Sequence, residues 1–199
     1  MRLTSLLLAF VTIFATSTSA MPASQNGASM AVGAITSQPI GHYDFCQRYR
    51  NECGPNVDLM PVKMTNNNWE TVNDVNQQVN STIIPATDME VYGKEEYWAY
   101  PITAGDCEDF ALLKRRLLIM RGFSASNLLM TVVRKPDGEG HAILTLRTAQ
   151  GDYELDNLSD EVKLWYQTPY SYIKRQASNN AGRWVTIENG RDVLVGALK

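Results

Sequence analysis

From Trp69 the apolar positions Val72, Val75, Val79 and Ile83 recur at three- and four-residue steps, the period of one helix face, and Pro85 closes the segment. A second helical stretch covers Asp106–Arg121. Phe110, Leu113, Leu117 and Met120 form its apolar stripe, and Gly122 stops it. Asp106 stands at the N-cap, with Asp109 three residues on where a capping box usually has Glu or Gln. The run Lys114-Arg115-Arg116 falls largely off the stripe and reads as a solvated face. After Gly122 the period changes to two. Leu128–Lys135 and Ala142–Arg147 are rich in Val, Leu, Ile and Thr and read as strands, separated by the turn Pro136-Asp137-Gly138-Glu139-Gly140. A turn at Gln150-Gly151-Asp152 leads into a third strand around Tyr153–Leu158, and a last one is expected at Trp184–Ile187. Residues 86–105 read as loop. Helices first and an antiparallel sheet after them predict an α+β domain.

The first twenty residues follow a different pattern. Arg2, an apolar run from Leu6 to Ala15 and the small residues up to Ala20 are the parts of a secretory signal peptide. The run is about half of the ~20 apolar residues a membrane span requires. The expectation is a chain exported to the periplasm or secreted, with no membrane insertion after cleavage. Residues 21–40, rich in Ser, Ala, Gly and Gln, read as a flexible leader, and 41–199 as the folded domain. The 18 basic and 21 acidic residues of the 199-residue chain leave a net charge of -3, which argues against a nucleic-acid binder working by phosphate neutralisation.

Export changes how the three cysteines read. Cys46 and Cys53 are close in sequence and Cys107 stands alone, which suggests one local disulfide and one free thiol. A zinc site from Cys46, Cys53, Cys107 and a histidine is the competing arrangement, but its spacing fits no standard zinc pattern.

Cys107 lies in the first turn of the predicted Asp106–Arg121 helix, where unpaired backbone N–H groups and the helix dipole favour a thiolate. A buried structural cysteine is the plainer alternative. A nucleophilic thiol requires a base, and only His42 and His141 are available. His141 stands where the glycine-rich turn enters a strand; His42 lies in the irregular segment beside the cysteine pair. With an even-numbered loop around Gln150-Gly151, His141 and Asp156 face the same side of the hairpin as diagonal neighbours, ~7–8 Å apart at the backbone. Asp152 falls in the turn and Asp160 beyond the strand, whereas Glu154 shares the face of Asp156, so parity leaves two carboxylates. A Cys at a helix N-terminus followed by a His and a carboxylate on successive strands is the constellation of a thiol acyl-transfer enzyme.

The segments FCQRYRNEC (Phe45–Cys53), VNDVNQQVN (Val72–Asn80), EYWAYP (Glu96–Pro101), GDCEDFALLKRRLL (Gly105–Leu118), HAILTL (His141–Leu146) and GDYELDNL (Gly151–Leu158) carry a resemblance. The text resembles the bacterial transglutaminase-like cysteine peptidases, the LapG-like family of the papain/transglutaminase superfamily, from about Tyr43 to Trp184. The resemblance implies a papain/transglutaminase-like fold with the catalytic residues Cys107, His141 and Asp156. It also implies that acidic residues beside the nucleophile, Asp106 and Glu108 and with them Asp109, bind calcium. Its implied substrate is a periplasmic or surface protein such as an adhesin, and a regulatory receptor is a further implied partner. The same triad serves transglutamination, where an amine replaces water, and a non-catalytic periplasmic binding module is the third reading.

Overall fold

The structure is a computed structural model that describes residues 28–57 and 60–188. The signal peptide expected at 1–20 lies outside the described residues.

Helix α1 (Ile40–Arg48) precedes α2 (Asn66–Thr82), the short α3 (Asp88–Tyr92) and α4 (Cys107–Met120). The main sheet is built from β1 (Val32–Thr36), β4 (Leu128–Arg134), β5 (Gly140–Thr148), β6 (Gly151–Asp156), β7 (Ser159–Leu164), β8 (Ser171–Ala177) and β9 (Asn180–Ile187). Its order is β1-β9-β8-β4-β5-β6-β7, and every neighbouring pair is antiparallel. A separate parallel pair joins β2 (Ile84–Pro85) to β3 (Ala104–Gly105). The α+β class is as the chain's pattern predicts. No helix among the described residues is long and apolar enough to cross a membrane.

Alternation of side chains along β5 gives the sheet two different faces. Leu144 and Leu146 meet Phe110, Leu112 and Leu118 of α4, with Val72, Val75 and Val79 of α2 closing the core. Burying each such side chain contributes roughly 1.5–3 kcal/mol. Ile143 turns the other way, into a second cluster with Val133, Trp165, Tyr170 and Tyr172. Helix α2 starts on a real cap, the Thr65 hydroxyl accepting from the Asn68 N–H at 3.2 Å.

Five expectations are corrected. The segment of His42 and Cys46, expected to be irregular, is helix α1. Residues 32–36 of the expected leader form the edge strand β1 on β9, with Val32 opposite Ile187 and Thr36 opposite Trp184. The 86–105 stretch holds α3, opened by a capping box between Thr87 and Glu90. Met120 is exposed at 74%, while Lys114 and Arg115 are buried at 0% and 4%. Helix α4 is covered by β5 on one side and α2 on another, so the predicted stripe is too narrow and the basic run is not a solvated face. Arg115 is accommodated by the Leu128 carbonyl at 3.0 Å and Glu52 at 3.3 Å. Lys114 Nζ makes no hydrogen bond, and burial lowers its pKa to about 7 against the pull of Asp156 and Asp160. The last correction is at the N-cap of α4: Asp106 occupies that position but its side chain caps nothing.

Candidate active site

The β5–β6 hairpin closes with Thr148 opposite Gly151, leaving the two-residue loop Ala149–Gln150. Leu144 pairs with Leu155, so Asp156 lies diagonal to His141 on one face. The two side chains meet: His141 Nε2 is 2.8 Å from Asp156 Oδ1. A carboxylate on Nε2 fixes the proton there and leaves Nδ1 as the acceptor. The rival Glu154 instead accepts from the Thr145 hydroxyl, and Asp152 pairs with Arg175 at 3.1 Å. Asp160 accepts from Asn80 Nδ2.

Asp156 is held from four sides. Its Oδ1 also accepts from the Leu158 N–H at 3.0 Å, its Oδ2 from the Tyr170 hydroxyl at 2.5 Å, and its carbonyl from Asn80 Nδ2 at 3.0 Å. Burial pushes the carboxyl pKa up, but His141, the Leu158 N–H and Tyr170 together bring it below the ordinary value. The Tyr170 ring also lies against the His141 ring, 5.5 Å between centroids. Tyr170 and Asn80 carry no sequence signal of this role. One belongs to an irregular aromatic stretch and the other to a helix read only for its apolar face.

Cys107 is the first residue of α4 and is a free thiol. Its Sγ accepts from the Ala142 N–H at 3.4 Å and donates to Glu108 Oε2 at 3.2 Å. His141 stands at the beginning of β5, where the sheet ends, so thiol and imidazole open onto the same surface. Two clefts flank them, of about 360 Å³ and about 340 Å³. Cys107, Gly140 and His141 line both; the first adds Pro85, Thr87 and Leu158, the second Trp98, Val132 and Lys174. Trp98 is 2% exposed, and its Nε1 donates to Glu96 at 2.9 Å.

The thiol's electrostatics run against the helix-terminus expectation. Burial pushes the Cys107 pKa well above its ordinary value, Glu108 and Asp106 add to this, and only the Ala142 N–H opposes it. Burial and Asp106 likewise raise Glu108. Asp109 points away from the thiol, accepting from the Ala99 N–H at 2.7 Å and from the Tyr92 hydroxyl at 3.3 Å. In its place the fold supplies Asp88 from α3. Asp88, Asp106 and Glu108 each bring a carboxylate oxygen within 4.8 Å of the others. Asp88 Oδ1 and Asp106 Oδ1 are buried without a hydrogen-bond partner. Clustered hard oxygens with two unpartnered acceptors fit a divalent cation of the calcium type. Of the expected ligands, Asp106 and Glu108 fall in this cluster.

His42 is 134 residues before Gln176, whose side-chain amide lies 3.0 Å from its Nε2, and it is buried in the aromatic core. Cys46 and Cys53 are joined in a disulfide. The zinc set of Cys46, Cys53, Cys107 and a histidine is therefore not assembled.

No curated protein matches this sequence. Among solved structures, calcium-bound LapG of Legionella pneumophila is similar at 20% identity and a TM-score of 0.51, over 62% of this chain and 72% of that one. Two further structures of the same protein, one of them EGTA-treated, are similar at 22% identity and a TM-score of 0.50, over 59% of this chain and 66% of theirs. These likenesses establish the fold. The sequence pattern of the bacterial transglutaminase-like cysteine proteinases matches residues 32–192, most of the chain. With a free cysteine at a helix N-terminus beside a histidine–aspartate hairpin, and that pattern running through it, this chain belongs to the bacterial transglutaminase-like cysteine proteinase family.

Proposed function

We propose that the protein is an exported cysteine endopeptidase that cuts a periplasmic or cell-surface protein with Cys107, His141 and Asp156. The observation that carries this reading is the His141–Asp156 pair, 2.8 Å apart, sharing a cleft with the free Cys107. His141 takes the thiol proton, and Cys107 Sγ attacks the scissile carbonyl. The oxyanion meets the Cys107 backbone N–H, which has no partner inside the helix at this position. His141 then protonates the leaving amine, and water hydrolyses the acyl-thioester. Asp156 keeps the proton on Nε2 and stabilises the imidazolium. Clefts on both sides of the thiol support cleavage within a chain over trimming at its end. The Cys46–Cys53 disulfide supports an oxidising compartment.

Asp88, Asp106 and Glu108 are the residues that would hold calcium, for which the calcium-bound LapG structure is the precedent. Bound there, the ion supplies positive charge that offsets three carboxylates crowding the nucleophile.

The test is incubation of the mature protein with surface proteins of the source cells and mapping of new N-termini. New termini should appear with the wild type and vanish with Cys107→Ser; undiminished cleavage by that variant overturns the mechanism. EGTA should lower the yield and added calcium restore it. Unchanged cleavage in excess EGTA, with no calcium in the purified protein, removes the ion from the account.

A further inference from the structure

Gly140 ends the turn that begins at Pro136, but its own backbone does not require a glycine. Gly138, two residues earlier, has φ of 93°, which the Pro136–Gly138 turn requires, but Gly140 is not among the positive-φ glycines. It sits in a regular antiparallel pair opposite Arg134. A Cβ built on it meets no atom within 4 Å, in contrast to Gly41, where Trp98 Cδ1 would be 2.3 Å away. A glycine in a strand forgoes both conformational restriction and packing; a bulge, a tight bend and the close approach of a ligand or another chain are its usual occasions, and the unshifted register of Gly140 opposite Arg134 points to the last. Gly140 lines both clefts, as only Cys107 and His141 also do, and the space where its Cβ would stand is open.

We propose that Gly140 is the specificity-determining gap of the site: the main chain of an extended polypeptide crosses it, passing from the cleft of Pro85, Thr87 and Leu158 to that of Trp98, Val132 and Lys174. Any side chain at 140 would stand in this passage and lift the scissile carbonyl off the thiol. The inference rests on the peptidase reading, and it adds that the enzyme admits substrate by backbone clearance at a single position. A small reagent that only has to reach Sγ is not subject to it.

The test compares two alkylating probes on the full mature protein, with adduct formation at Cys107 followed by mass spectrometry. Iodoacetamide is the small probe and an N-blocked tripeptidyl chloromethyl ketone the chain-like one. In Gly140→Ala the iodoacetamide rate should stay within about twofold of wild type while the peptidyl rate falls about tenfold; in Gly140→Val the peptidyl rate should fall about a hundredfold. Thermal unfolding should be unchanged in the Ala variant, since the added Cβ has room. Equal falls for both probes would mean that the substitution disturbs the thiol itself, and no fall for either would mean that nothing crosses the glycine; each result overturns the proposal. The peptidase reading is judged separately by His141→Ala, which should slow iodoacetamide. If it does not, that reading fails whatever Gly140 does.

Discussion

The chain's two histidines are each found beside a cysteine, and both are buried, His42 to 1% and His141 to 6%. Their surroundings are otherwise opposite. His42 Nδ1 lies 3.6 Å from Cys46 Sγ, but that sulfur is spent in a disulfide. Its other neighbours are the amides of Gln38 and Gln176, the Trp184 N–H, and the rings of Phe45, Trp98 and Trp184. Burial first, and then the charge of Arg115, lower its pKa to about 3. His141 has a carboxylate on Nε2, a free thiol across the cleft and open space in front of it. A sulfur beside an imidazole is thus not sufficient for catalysis. On the proposed mechanism the third group and the access single out the His141 pair, while the His42 pair is core.

The largest test of this contrast exchanges one histidine at a time. His141→Ala should cost about 10⁴-fold in kcat/KM, and Asp156→Asn about 10³–10⁴-fold, because the amide mis-sets the imidazole tautomer. His42→Gln should stay within about threefold of wild type, since it touches none of the reacting atoms. An inactive, fully folded His42→Gln would reverse the assignment. Tyr170→Phe sharpens the comparison from the carboxylate side. Losing one hydrogen bond to Asp156 should cost about tenfold in kcat and move the acid limb of the pH–rate profile to higher pH, because the carboxyl loses a donor that favours its ionised form. A purely packing role for Tyr170 would leave that limb in place.

The smallest effect is read in stability. The fold favours neutral His42 whereas the unfolded chain holds an ordinary imidazole, so below about pH 6.5 the unfolded state takes up the proton first. The stability present at neutral pH is lost as the pH falls towards 3. Between pH 7 and 5 the loss from this group is about 2 kcal/mol. Urea unfolding of wild type and His42→Gln at both pH values should differ by that amount in their pH dependence; parallel curves would place the imidazole in a wetter environment.

What the sequence makes legible follows the range of the interaction. The His141–Asp156 relation depends only on hairpin parity, so it can be read from the turn between them, and the register Thr148–Gly151 agrees with an even loop. Choosing Asp156 over Glu154 cannot be done from parity. It depends on Tyr170 and Asn80, which arrive from other elements. Asp88 is likewise invisible, because it enters the acidic cluster through a five-residue helix with no periodicity to announce it. Strands β7 and β8 are illegible in the sequence for a different reason. Ser159–Leu164 is an edge with exposed Asp160 and Glu161, and the polar residues of Ser171–Ala177 obscure its alternation. The burial of Lys114 contradicts the general expectation for a basic run, since a helix covered on two sides has too little solvent face to hold three cations.

The division of the site between one hairpin and one helix has a consequence for how the protein comes to function. His141 and Asp156 are brought together by a two-residue loop, a local event on the microsecond scale of hairpin formation. Cys107 reaches them only when α4 docks on β5 through Phe110, Leu112 and Leu118 against Leu144 and Leu146. A compact, loosely packed state with native secondary structure would contain Cys107, His141 and Asp156 without bringing the thiol to the other two. On the proposed mechanism, activity therefore requires the docking of α4 on the sheet and not the hairpin alone, and loosening that contact would remove it while the secondary structure persists.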